Sequence, residues 1–542
     1  MQDLADFPTQ KPESSEVLRA TSAEGACAPR RGVALPLSLQ QRFLSISAIL
    51  TTVYLCVIFL GLPLVFTNFY FNITETKQFY FLIASGVYLL LLLFARIALP
   101  PDFGVTRQRD LPHPTALLLA AFFVVSLVGG ILSRYPGEIL FGENNRYQGL
   151  LTLFCYALLA LALSSRKIDL RWPERAFLLS ASVVSLLGVL NHFGVDPFGF
   201  HENLRTSDQG RFLSTIGNAD FYASYIVMAF AVSFGFFLRA NKRLTRVLAT
   251  LALALVSFGT LVAGSDSAAL GLLAIAALLP LSLFSDAQAM RRLPLGWGIF
   301  FLCAFFFGRL STLQPSATYL SAFVPVLCRP VIALPLAAAA FALWFMLRKT
   351  KPERLSRVKK PYVITLMSAL LLGVIALVLL NTLLRALPLG GLERYLHFSG
   401  SWGTDRGKIW SFVLRVYAGL PKGQQLFGAG SGALFHADAV KPLFSDAALD
   451  TAHNEYLQYL VTNGALGLLC YLAALMLAVR AGFRRGKSVP IYRGLTLAVV
   501  AYAVQAAVNI AQPMTTPIFF VLLGILISLQ PEKASDIKDE PV

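Results

Sequence analysis

Charged side chains make up only 14% of these 542 residues, against 56% hydrophobic ones. That balance excludes an ordinary soluble domain, in which about a quarter of the residues are charged. Histidine and cysteine are also scarce, with six of each. The cysteines are Cys27, Cys56, Cys155, Cys303, Cys328 and Cys470; they form no close pair and five of them fall inside apolar runs, so neither a zinc site nor a disulfide framework is expected. No lysine follows the glycine cluster "FGAGSGALF" as a phosphate-binding loop would require, which argues against nucleotide binding. A repeat of fixed period is missing too. The opening polar stretch lacks the short apolar core and small-residue cleavage site of a secretory signal, and is expected to be a disordered cytoplasmic tail.

Long apolar runs dominate the rest. Crossing a hydrocarbon layer of ~30 Å takes about 20 helical residues. Suitable runs lie at 44–66, 78–99, 114–133, 149–164, 176–194, 219–239, 246–263, 266–284, 294–311, 318–347, 361–385, 455–479, 492–511 and 513–530. The sequence therefore predicts an all-α polytopic membrane protein with about 14 transmembrane helices and one large extracytoplasmic loop. The expected organisation is a tail (1–43), a bundle (44–385), the large loop (386–454), C-terminal spans (455–530) and a second cytoplasmic tail (531–542).

The net charge of +17 invites a nucleic-acid reading, but its distribution speaks for topology. Basic residues gather in every second loop: Arg107 and Arg109, "SSRKIDLRWPER", "RANKRLTR", Arg291 with Arg292, "RKTKPERLSRVKK" and "RAGFRRGK". Cytoplasmic loops of membrane proteins carry this excess. Both termini are thus expected in the cytoplasm, and no nucleic-acid partner is expected.

The opposite face receives "SRYPGEILFGENNRYQG", "GVDPFGFHENLRTSDQGRFLSTIGN" and the large loop. Within the last, "DRGKIWSFVLRVYAGL" places Ile409, Phe412, Val413 and Val416 at helical spacing and predicts a short amphipathic helix. The glycines that follow suit a tight turn or a close backbone approach. Asp266, Arg309 and Arg329 fall in or beside apolar runs, where a charge is costly and often functional. Asp266 belongs to the outer end of its span; the two arginines are expected to snorkel or to lie in loops.

Five of the six histidines fall on the outer side of this topology, and His453 opens a span just after Asp450 and Thr451, residues suited to capping a helix. An imidazole at that boundary reaches both a lipid-linked substrate and water, and its ordinary pKa of about 6.5 suits it to take a proton from a hydroxyl. From His453 the chain reads His-Asn-Glu-Tyr-Leu, then six residues, then Gly464. This resembles the signature of the O-antigen ligase family, which also contains lipid-linked polysaccharide polymerases and protein O-oligosaccharyltransferases. "RFLSTIGNADFYASYI", with Arg211, Gly217 and Asn218, and "DRGKIW" with "LFGAGSGAL", giving Arg406, Trp410, Gly428 and Gly430, are similar to further family segments. The resemblance spans residues 140–530. The "GSDSAALGLLA" stretch departs from it, with Asp266 where many relatives have an arginine.

The resemblance implies transfer of a glycan from an undecaprenyl diphosphate carrier to an acceptor hydroxyl at the outer face of a bacterial cytoplasmic membrane, with neither cofactor nor metal. It implies His453 as base and Arg406 as the cation that steadies the leaving diphosphate. Arg211, Arg205, Asn218, Asn454, Trp410 and Asp266 are the expected substrate contacts. Glu455 is a weaker candidate to orient the histidine, because residues two apart on a helix do not share a face. The acceptor is a glycan, glycolipid or protein hydroxyl. A repeat-unit polymerase is the alternative enzyme, and a non-catalytic transporter or flippase of lipid-linked glycans is the alternative from another class.

Overall fold

The computed structural model describes residues 39–98, 112–143, 146–314, 316–440, 442–444 and 449–529. Most of the first expected tail, all of the second, and Arg107 and Arg109 lie outside the described residues. Residues 39–43 do not belong to a tail, since the first helix already begins at Leu39. The chain is an all-α polytopic membrane protein. Among the described residues ten helices are long and apolar enough to span a bilayer, and Leu150–Ser164, Ser267–Leu283, Ile491–Ala506 and Thr516–Leu526 are shorter apolar helices. The strands described are the pair Phe212–Leu213 and Gly217–Asn218.

Helix Ala219–Arg239 is the axis of the bundle, with buried residues on every side. It crosses Ile491–Ala506 so closely that a Cβ on Gly235 would lie 2.8 Å from Gly494 Cα. Small residues make such crossings possible where lipid supplies no hydrophobic drive between helices. By contrast Lys359–Asn381 has no buried residue and stands at the rim, touching the bundle through the Tyr362 hydroxyl, which donates to Ala277 O at 2.9 Å.

Side-chain contacts sort the loops into two faces. On one, Arg493 pairs with Asp286 at 2.6 Å, Arg291 donates to Thr350 O at 2.8 Å, and Leu529 N donates to Arg166 O at 2.8 Å. On the other, Arg146 pairs with Asp450 at 2.7 Å, His436 with Glu138 at 2.9 Å, and Tyr319 N donates to Gly210 O at 2.9 Å.

Two expected spans are interrupted. The run 318–347 divides into Phe323–Leu327 and Pro330–Leu347, because the residue before a proline is driven out of the helical region and proline then suits the first helical turn. The run 455–479 divides into Glu455–Thr462 and Gly464–Arg485, at an elbow where Gly464 has φ +73°. Broken backbone at membrane depth needs polar partners supplied from within the protein. The glycine turn of the large loop supplies them here, through Ala429 N and Gly430 N. Glu455 is held separately: its carboxylate accepts from the Tyr471 hydroxyl at 2.7 Å and from the Tyr502 hydroxyl at 2.9 Å, and Tyr502 meets Thr516 at 2.7 Å. Glu455 thus points into the bundle rather than toward His453.

Candidate active site

The large loop is pinned to the bundle by the glycine turn. Gly428, Gly430 and Gly432 have φ +100°, +82° and +85°, a region that glycine alone enters without strain. The turn runs along the elbow, where Ala429 N donates to Val461 O at 2.9 Å and Gly430 N to Thr462 O at 3.1 Å. A Cβ on Gly428 would lie 2.6 Å from Asn463 Cα. The glycines therefore serve a close approach between two backbones. The expected amphipathic helix is Trp402–Gly419, which buries Ile409, Phe412 and Val413 against Ala429, Leu434, Leu449 and Val461. Trp410 packs beside this small core with its ring 5.2 Å from that of Trp402.

This packing fixes the start of the helix. Gly403, Thr404 and Asp405 are all left-handed, at φ +59°, +59° and +64°. The turn curls back over Arg406, whose Nη1 donates to Gly403 O at 2.6 Å and to Thr404 Oγ1 at 3.1 Å. Its Nη2 lies 4.0 Å from Asp220 Oδ2, and its Nε is buried without a partner among the described residues. Asp220 opens the axial helix, whose first turn is capped by the Asn218 side chain accepting from Asp220 N at 2.9 Å. The strand pair carries Asn218 into that position, and Arg211 O accepts from Ala219 N at 2.8 Å.

His453 is held from the other side. Its φ is +46°, left-handed in a residue that is not glycine. Asn454, rather than Asp450 or Thr451, caps the helix that follows: its Oδ1 accepts from Tyr456 N and Leu457 N, each at 3.0 Å. Gln458 Oε1 reaches back to accept from Ala452 N at 2.8 Å, fixing the approach to the histidine. Asp450 is taken by Arg146 in a fork, with Nε at 3.0 Å and Nη2 at 2.7 Å. Burial, followed by the charge of Arg406, holds the His453 imidazole below its ordinary pKa; Asp220 and Asp450 pull it up and Arg146 pushes it further down. The ring is therefore neutral, and able to accept a proton, at neutral pH.

Arg406 lies close enough to His453 for its charge to act on the imidazole, as do Asp220, whose turn Asn218 caps, and Arg146; sequence reasoning missed the last two charged residues. Asp220 lies two residues beyond Asn218, and Arg146 lies in the loop between Pro114–Ile131 and Leu150–Ser164. Their pairings across the chain leave no mark in local spacing. The other expected residues lie apart. Arg211 and Arg205 are exposed, and neither guanidinium has a hydrogen bond or ion pair among the described residues. Asp266 accepts from Ala322 N at 2.8 Å and from the Tyr395 hydroxyl at 2.9 Å, which ties the large loop to the loop after Ala287–Leu313. Arg309 and Arg329 are exposed, Arg329 immediately before Pro330–Leu347.

Residues 329–472 match the Wzy_C, O-antigen ligase, family model. The match covers about a quarter of the chain. It takes in Arg406, Trp410, His453, Asn454 and the glycine turn, whereas Asn218, Asp220, Asp266 and Arg146 come from the chain before it. No curated protein matches the chain. The O-antigen ligase match supports a glycan-transfer enzyme of ligase type, with lipid-linked glycan substrates and a bilayer setting.

Proposed function

We propose that the protein transfers an oligo- or polysaccharide from an undecaprenyl-diphosphate-linked donor to an acceptor hydroxyl, at the outer face of a bacterial cytoplasmic membrane. The observation that carries this reading is that the charge of Arg406 acts on a His453 imidazole held below its ordinary pKa, both within the stretch that matches the O-antigen ligase family. His453 takes the proton of the acceptor hydroxyl as that oxygen attacks the anomeric carbon, and the bond to the diphosphate oxygen breaks. Negative charge grows on the departing diphosphate. Arg406 meets it with the buried Nε, which lacks a partner among the described residues, and with Nη2, which Asp220 holds at 4.0 Å.

A single displacement inverts the anomeric configuration and asks nothing of a metal. Arg211 and Arg205, exposed on the same outer loop as the strand pair, are left free to meet the outer phosphate. Asn218 and Asn454 act through the backbone, as caps that aim Asp220 and His453. In this reading the spans number about fourteen and both termini face the cytoplasm, where the basic loops gather. A repeat-unit polymerase has the same donor chemistry and differs in its acceptor.

The test uses purified full-length protein in detergent with an undecaprenyl-diphosphate-linked glycan and an acceptor glycan fraction. A transferase releases undecaprenyl diphosphate as the product grows. A flippase releases none, and that outcome would overturn the proposal.

A further inference from the structure

The seam between residues 133–148 and the large loop buries more acceptor oxygen than the fold uses. Glu143 is 8% exposed and Thr451 4%. Even so, Glu143 Oε1 and Thr451 Oγ1 have no hydrogen-bond partner among the described residues, and neither has Glu138 Oε2 on the same seam. A buried polar atom left unpaired costs about 1–3 kcal/mol. Three such oxygens along one seam therefore call for donors from another molecule.

The seam is firmly built at both ends. At one, His436 Nε2 meets Glu138 Oε1 at 2.9 Å while the Tyr135 ring stacks on the imidazole at 3.9 Å. At the other, Arg146 grips Asp450, and the charges of both residues are felt by His453. This end of the seam thus lies close enough to the reaction centre for its charges to act on the imidazole.

Its charge discriminates between ligands. Two carboxylates, Glu138 and Asp450, share this seam with the guanidinium of Arg146, which is already paired with Asp450. A diphosphate is repelled here and drawn to Arg406 instead. Burial pushes the Glu143 carboxyl up to about 8, with Glu138 and Asp450 adding to the rise and Arg146 opposing it. At neutral pH the group keeps its proton, and offers both a donor and an acceptor. Sugar hydroxyls supply the complementary pair.

We propose that this seam is the acceptor subsite, taking a neutral stretch of glycan without phosphate, whose hydroxyls donate to Glu138, Glu143 and Thr451 while the reacting hydroxyl reaches His453. The inference rests on the glycan-transfer reading and adds to it the chemical class of the second substrate.

Two measurements on the full chain in nanodiscs separate the claims. The first needs no turnover: hydrogen exchange of residues 133–148 is followed with neutral oligosaccharides released by mild acid from the source cells' own envelope glycans. Exchange slows in wild type, does not slow in Glu143→Ala or Thr451→Val, and slows again in Glu143→Gln, whose amide both donates and accepts. The second is transfer itself, where Glu143→Ala raises the acceptor KM by about tenfold, as expected for one lost hydrogen bond, and leaves the donor KM unchanged. Unaltered exchange in wild type, or a change confined to the donor KM, overturns the subsite. Slowed exchange without any transfer by wild type upholds sugar binding and overturns the transferase reading instead.

Discussion

Replacing His453 tests the proposed chemistry most directly, provided that the backbone is respected. At φ +46° the residue occupies a region that costs an ordinary side chain about 1–2 kcal/mol and that asparagine tolerates well. Alanine would mix loss of the imidazole with a change in strain, so His453→Asn is the informative variant. Removing a general base typically lowers the rate by about 10²–10⁴, equivalent to ~2.7–5.4 kcal/mol of barrier. The assay is initial-rate transfer from the lipid-linked donor, with thermal melting in detergent as the fold control. Wild-type activity should fall as pH drops through the lowered imidazole pKa, because the protonated ring cannot act as a base. His453→Asn should lose that acidic limb together with the rate while melting as wild type does. A folded His453→Asn variant with wild-type turnover would refute the mechanism.

Arg406→Gln should slow transfer by about a hundredfold, the usual loss for one charge-stabilising contact of ~3 kcal/mol. The same change removes a cation that disfavours the imidazolium, so the residual activity should lose its acidic limb at higher pH than wild type. Asp220→Asn removes an anion and should shift that limb the opposite way, to lower pH. Glu455→Leu strips the buried Tyr471 hydroxyl of its acceptor and leaves Tyr502 only Thr516, and should lower stability by about 1–3 kcal/mol for the one hydroxyl left unpaired, read as a lower melting temperature. Gly428→Ala should lower the yield of folded protein in detergent, since φ is +100° and Thr462 and Asn463 fill the space.

The helices were legible because an apolar run long enough to cross a bilayer is a strong and nearly unambiguous pattern. Their interruptions were harder to see. Arg329-Pro330 did carry a readable signal, but the elbow at Asn463 and Gly464 depends on the glycine turn of a distant loop, which no local window contains. The amphipathic helix at Ile409, Phe412 and Val413 followed from its period. Among site residues, Arg406 and His453 could be named because motif spacing is local. Arg146 and Asp450, separated by 304 positions, are ordinary outer-loop residues until the fold pairs them. Helical spacing makes Glu455 only a weak candidate to orient the histidine, and the structure gives it tyrosine partners in the bundle.

The charges around His453 reach it from three distant stretches: Arg146 in one loop, Asp220 on the central helix, and Arg406 with Asp450 in the large loop. A sugar-handling loop grafted onto a foreign bundle would keep the imidazole and its nearest cation yet arrive with a different proton affinity. Working pH in this architecture is accordingly a property of the assembled barrel of helices, adjustable by substitutions that never touch the reacting atoms.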